Sequence, residues 1–446
     1  MMTKRLFFIA WISFCGILPI ALQAANYYVA PNGNDTHNGS LERPFATVQR
    51  AQDTVEPGDT VYLRGGTYLV LPDQAAGNRM IRSNSYACFT QLTKSGTSEK
   101  RICYFNYPGE KPKFDFSRLK PEGHRVSGFC VSGSWLHIKG IEVVGVQVTI
   151  TGRNTQSECF SNMGSHNIYE LLEMHDGMGI GFFSHAGGNN LILNCDAWRN
   201  YDPVCDTSGG RNGGNVDGFG SHYSLPGDGP NIFRGCRAWY NSDDGYDCIN
   251  NGETTIMENC WAFYNGYSYE GPDDAFHSRG DGNGFKAGGY GRDPQISGLP
   301  IPVPRNVVRF CLAVGNKSKG MDANYHAQGN LWYNNSSYRN NHNFQMETAG
   351  QVNPDDKTLT FIPGRNHFMF NNLSYKGNTT NLTRIEESAC VMLNNNFDQE
   401  GVLTDADFVS LDESQLMAPR KADGSLPDIT FMKLKGANPV GLYARP

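Results

Sequence analysis

Six short segments share a pattern in which a polar residue, usually followed by glycine, and an apolar residue lead to a variable fourth position. They are Asp176-Gly-Met-Gly179, Asp217-Gly-Phe-Gly220, Asp244-Gly-Tyr-Asp247, Asn283-Gly-Phe-Lys286, Lys319-Gly-Met-Asp322 and His342-Asn-Phe-Gln345. Stacked as equivalent strands, their fourth positions lie about 4.8 Å apart at the backbone. That column reads Gly179, Gly220, Asp247, Lys286, Asp322, Gln345. The third position is expected in the core and the fourth in solvent. Asp217 and Asp244 share the first column, Asp243 adjoins Asp244, and Asp247 follows three residues on. Four carboxylates without four matching cations repel one another unless a metal joins them. An all-oxygen donor set selects a hard cation, and Ca2+ suits a partly open cluster better than zinc. The donors come from separate segments, so this is not an EF-hand loop.

Lys286 stands next to Asp247 in the column. As an exposed ion pair it would contribute little. Beside a divalent cation it does more. Asp247 raises the pKa of the amine and the cation lowers it, and where the cation neutralises Asp247 the lowering prevails. An unprotonated lysine is a competent general base. A single Asp-Gly pair is ordinarily a turn signal. The recurrence of Asp217, Asp243, Asp244 and Asp247 in one register favours a site.

A second repeat supplies the elements that must hold these residues. Cys195-Asp-Ala-Trp-Arg-Asn200 returns as Cys236-Arg-Ala-Trp-Tyr-Asn241, Cys260-Trp-Ala-Phe-Tyr-Asn265 and Cys311-Leu-Ala-Val-Gly-Asn316, then more weakly at Asn335–Asn340 and around Asn372–Tyr375. Cys236 to Cys260 and Cys311 to Asn335 are each 24 residues. A unit of short apolar runs and turns at this spacing fits one coil of a parallel β-helix and is too short for a four-stranded propeller blade. Alternation in Asn231–Tyr240 sends Phe233, Gly235 or Cys236, and Ala238 inward and Arg234 and Arg237 outward. Asn200, Asn241, Asn265, Asn316 and Asn340 should form an internal amide ladder. The repeated cysteines read as small buried hydrophobes; pairing among the others is not legible.

The fold class is therefore all-β, a single parallel β-helix domain over residues 25–446. Its first part, about 25–68, includes an amphipathic stretch at Phe45–Val55 suited to capping the first coil. The tail from about Glu386 loses the repeat and is expected to cover the other end. Before the domain, Met1 to Ala24 carries Lys4 and Arg5 ahead of an apolar run that Pro19 and Gln23 close, the form of an export signal peptide. Secretion or periplasmic residence is the expectation, a surface lipoprotein at Cys15 being less suited, with no membrane span after the leader's removal.

Composition narrows the partners. The chain has 446 residues, 51 of them glycine, with 39% hydrophobic and 12% aromatic content, too apolar for disorder. Net charge is −6 and becomes more negative once Lys4 and Arg5 are lost, so nucleic acid is a poor partner. A monomer is expected.

Asp217, Asp243-Asp244-Gly-Tyr-Asp247 and Gly284-Phe-Lys286 together closely resemble the metal site and base of the family 9 polysaccharide lyases. The likeness extends to Tyr27–Asp35, Arg43–Ala46 and the tail at Asp407–Asp412, Pro419-Arg420 and Asp423–Pro427. It implies that family's right-handed parallel β-helix, calcium at Asp217, Asp243, Asp244 and Asp247, Lys286 as base, and β-elimination in an acidic pectic polysaccharide. The backbone is rhamnogalacturonan I or homogalacturonan; the sparse cations favour the first and the family association the second. Tyr267, Tyr269 and Tyr290 are candidates to stack on sugars, Arg279 and Arg292 to contact carboxylates, and Asp322 to contact substrate beside Lys286. Two rivals remain at this point: an inverting glycoside hydrolase built on paired carboxylates, and a non-catalytic solenoid holding structural calcium.

Overall fold

The computed structural model describes residues 24–444, apart from 73, 76, 82–83, 151–155, 205–211, 268–279, 290–301, 353–358, 400 and 437–439. Among the described residues the chain winds through three long sheets of 12, 10 and 11 strands, each strand pairing with its counterparts one coil before and one coil after. Pairing is parallel throughout these sheets except for the hairpin of Gly77–Ile81 with Asn84–Leu92 at the edge of the third. The expected parallel β-helix is thus present, and the third sheet carries the acidic segments.

Columns of like residues fill the interior. Phe219, Tyr246, Phe285, Met321 and Phe344 are in register and fully buried, and the rings of Tyr246 and Phe285 stack with centroids 4.7 Å apart. Each such side chain contributes about 1.5–3 kcal/mol of burial free energy. Cys195, Cys236, Cys260 and Cys311 form a second buried column as free thiols. Cys88 and Cys130, on adjacent strands of the third sheet, are disulfide-bonded.

The asparagine ladder runs as expected. Asn200 Nδ2 donates to Asn241 Oδ1 at 3.1 Å, Asn241 to Asn265 at 3.2 Å, Asn265 to Asn316 at 3.0 Å and Asn316 to Asn340 at 2.8 Å. Each amide also donates to a backbone carbonyl, Asn265 Nδ2 to Ala238 O at 3.1 Å, so the turn's polar groups are satisfied away from water. Asn265→Ala breaks the ladder in both directions and leaves buried partners unpaired, and a loss of about 2–4 kcal/mol is expected in denaturant unfolding.

The cap and tail complete the solenoid. The helix Val48–Thr54 begins at Thr47, whose side chain accepts from Arg50 N, and buries Val48 and Ala51 in the core with Phe45 and Val55. At the other end, Phe397 packs on Phe344 over the last coil. Most of the tail does not stay there. It runs back along the flank of the second sheet, placing Phe408, Leu416, Leu426 and Phe431 against Trp239, Trp261, Leu312 and Tyr375. Arg420 reaches as far as Asp196, with Nη2 2.6 Å from Oδ1, and Arg237 pairs with the same carboxylate at 2.8 Å. Arg237 thus points outward from the coil, as its alternation requires, yet is buried under the tail. The expectation of an end cover is corrected to a lateral strap, because the apolar outer face of the second sheet needs covering along its length.

Candidate active site

Two neighbouring constraints put the acidic segments where they are. Ala238 and Ala262 of the cysteine motif point inward, and the glycine that opens each third-sheet strand packs directly on them. A Cβ at Gly218 would lie 2.7 Å from Ala238 Cβ, and one at Gly245 would lie 2.9 Å from Ala262 Cβ. The glycine is required by this close approach, not by an unusual backbone angle, and it brings the preceding aspartates together.

The register confirms the fourth-position column from Gly220 onward: Gly220 pairs with Asp247, Asp247 with Lys286, Lys286 with Asp322, and Asp322 with Gln345. It corrects the beginning. Gly220 pairs with Phe183 and not with Gly179. Asp176 has φ 51° and pairs with Arg199 and His175, so it belongs to a turn ahead of the strand. The expectation of solvent exposure is also corrected. Asp247 and Asp322 are buried, and the Lys286 side chain is only 13% exposed. These side chains leave the core but are engaged in ion pairs, Asp247 with Lys286 and Asp322 with Lys319.

Carboxylate oxygens of Asp217, Asp243 and Asp244 all lie within 4.8 Å of one another, and all three residues are buried. Backbone amides aim them: Asp244 N donates to Asp217 Oδ1 at 3.0 Å, Asp281 N to Asp243 Oδ1 at 2.6 Å, and Asn283 N to Asp244 Oδ1 at 2.7 Å. Asn283 Nδ2 adds a second bond to that Asp244 oxygen at 2.8 Å. Asp247 stands beside this triangle, with Oδ2 3.3 Å from Lys286 Nζ and Oδ1 3.5 Å from His222 Nε2. Lys286 Nζ is also 3.0 Å from Asp244 Oδ2 and 3.8 Å from Asp281 Oδ2.

The electrostatics follow from burial and charge count. Burial, reinforced by repulsion from the neighbouring aspartates, pushes the Asp217 carboxyl well above the usual range. Burial also raises Asp244, against the opposing pull of Lys286, and raises Asp243 to about 6. Burial alone would raise Asp247 too, but Lys286 and His222 outweigh it and hold it at about 2. Lys286 loses stability as a cation through burial, yet the surrounding carboxylates prevail and its pKa stands well above the ordinary lysine value. A trio of buried carboxylates, held by amides and short of cations, fits a hard divalent ion.

The remaining candidates are placed as follows. Asp322 lies beside Lys286 in register but is engaged by Lys319 at 3.7 Å and by Asn324 N at 2.9 Å. Tyr267 lines a separate cavity with Tyr240, Tyr264 and Arg339, none of them part of the acidic cluster. Tyr269, Arg279, Tyr290 and Arg292 lie outside the described residues. His222, Asp281 and Asn283 are site residues that the sequence reading did not single out. Asn283 occupied the first column and His222 lies two residues past Gly220, so both had a register signal; Asp281, in an insertion, had none.

The family model described as "Pel9A-like, right handed beta helix region" matches residues 27–358. Pectate lyase L of Dickeya dadantii is 34% identical over 413 residues, covering 92% of this chain and 83% of that protein. Among solved structures, a rhamnogalacturonan lyase is 41% identical with a TM-score of 0.84, covering 92% of this chain and 97% of its own. Pectate lyase Pel9A is 30% identical with a TM-score of 0.71, covering 96% and 98%. These relatives set aside both the hydrolase and the non-catalytic solenoid. The chain is a polysaccharide lyase and belongs to family 9, the Pel9A-like right-handed β-helices.

Proposed function

We propose that the protein is a calcium-dependent lyase that cleaves the pectin backbone at galacturonate by β-elimination, with Lys286 as the base. The observation that carries this is the Lys286 amine 3.0 Å from Asp244 and 3.3 Å from Asp247, at the edge of the Asp217–Asp243–Asp244 triangle. Asp217, Asp243 and Asp244 would hold the ion, with Asp247 able to join them. Bound calcium would neutralise the galacturonate carboxylate, acidify the hydrogen at C5 and stabilise the charge that develops when it leaves.

The chain's own groups do the rest. The carboxylates that keep Lys286 protonated are also the candidate ligands, so engaging Asp244 and Asp247 with the ion would offset the charge that raises the amine's pKa. Lys286 then takes the C5 proton, the C5–H electrons form the C4–C5 double bond, and the C4–O pair departs with the leaving sugar, which takes a proton from solvent. His222 stands on the other side of Asp247, with Nε2 3.5 Å from Oδ1.

Rhamnogalacturonan I is the substrate we favour, since the rhamnogalacturonan lyase structure is the nearer of the two pectinolytic structures described here in both identity and superposition. The leader at Met1–Ala24, of which residues 1–23 lie outside the described residues, would export the enzyme to where such polymers are met. Ultraviolet absorbance of unsaturated product is the test. Rhamnogalacturonan I should give product, chelator should abolish it, and added calcium should restore it. Product from polygalacturonate alone would overturn the substrate assignment, and turnover that survives chelation would overturn the metal.

A further inference from the structure

Tyr240, Tyr264, Gly315 and Arg339 occupy one position in successive coils, the left-handed residue just before the asparagine ladder, with φ of 52°, 56°, 59° and 54°. The rings of Tyr240 and Tyr264 stack with centroids 5.3 Å apart and planes 23° apart. Gly315 then interrupts the column. The Tyr264 ring leans over it so closely that a Cβ there would lie 2.7 Å from Cε1. Beyond the gap, Arg339 Nη1 donates to Glu413 Oε1 of the tail at 2.7 Å, and the Tyr264 hydroxyl donates to the same carboxylate. Asn378 is fixed by its bond to Arg339 O at 3.1 Å. Together with Tyr267 these groups wall a cavity of about 310 Å³.

We propose that this cavity binds a neutral sugar ring of the pectic polymer, at a site separate from the acidic cluster. The inference deepens the pectin-lyase reading and rests on it. The volume is at the small end of ligand pockets, roughly 300–1,000 Å³, the scale of one or two sugar rings. Tyrosine rings held by stacking and by Glu413 offer apolar faces to sugar C–H groups with little entropy left to lose. Charge decides between sugars. Arg339 and Glu413 neutralise each other, so the described residues that line the cavity present hydrogen-bonding groups without a free cation for a uronate. The acidic cluster is close along the chain: Tyr240 precedes Asp243 by three residues, and Gly266, just before Tyr267, donates its N–H to Asn241 O at 2.8 Å. A polymer alternating charged and neutral sugars would meet one kind of site and then the other.

The test uses the full chain carrying Lys286→Ala, which removes turnover, in native affinity gels cast with rhamnogalacturonan I or with polygalacturonate. Tyr264→Ala and Tyr240→Ala should each weaken retardation by rhamnogalacturonan I about three- to tenfold and leave retardation by polygalacturonate unchanged. Tyr240→Ala keeps the Tyr264–Glu413–Arg339 links, so its effect cannot come from release of the tail. Equal retardation of parent and both variants by rhamnogalacturonan I overturns the cavity assignment alone, as does an equal loss with both polymers. A parent retarded by neither polymer overturns the pectin reading, and the cavity assignment with it.

Discussion

Lys286→Ala is expected to slow the formation of unsaturated product by about 10²–10⁴-fold, the usual contribution of a positioned general base. The sharper variant is Lys286→Arg. It keeps a cation between Asp244 and Asp247, now 3.0 and 3.3 Å from the amine, but a guanidinium does not give up its proton in this range. If the residue acts as a base, arginine should be about as inactive as alanine. If it only balances charge, arginine should recover most of the rate. Initial rates with saturating calcium, and a thermal unfolding curve for each variant, separate chemistry from folding. Near-normal turnover by Lys286→Arg would remove the base assignment.

The second large effect concerns pH and the ion together. Asp243 is raised to about 6, and Asp217 and Asp244 are raised well above the ordinary carboxylate range, in each case led by burial. Carboxyls whose folded pKa exceeds the unfolded value of about 4 stabilise the fold fully below that value and lose the contribution as pH rises through the folded pKa. In chelator, Tm should therefore fall between pH 5 and pH 8 as the buried trio begins to ionise. Asp247 has the opposite sign. Held at about 2, its contribution is complete above the unfolded value and is lost only as pH falls through about 2, so it is constant over this interval. Calcium needs the ionised trio, so the rise in Tm on adding calcium should be larger at pH 8 than at pH 5. A calcium increment that is flat or shrinking with pH would mean that the trio is not the binding site.

The parts of this architecture that repeat were legible in the sequence. The cysteine and asparagine columns are recurrences of one residue type at one position, and a solenoid turns such recurrence into contact. Asp217, Asp244, Asn283 and Lys286 could be aligned for the same reason. The alignment failed at Gly179 because Asp176-Gly imitates the opening of a strand while serving as a turn, and the true counterpart, Phe183, lacks the aspartate. Exposure was misread because alternation reports only whether a side chain leaves the core. It does not report that Asp247 then pairs with Lys286, or Asp322 with Lys319. The backbone N–H that Asp281 donates to Asp243, and its carboxylate near Lys286, come from an insertion with no repeat to announce it. The tail's course was hidden because its partners, such as Asp196 for Arg420, lie more than 200 residues away in sequence.

That strap changes how the molecule should come apart. A stack of coils joined only to nearest neighbours can fray from its last turn inward, one unit at a time. Here the C-terminal segment is fastened to Asp196 and Gly235, well before the final turns, so those turns cannot peel away until the segment has been stripped from the side. Loss of structure is thereby tied across many coils, and amide exchange in the terminal turns should follow that of the middle of the solenoid.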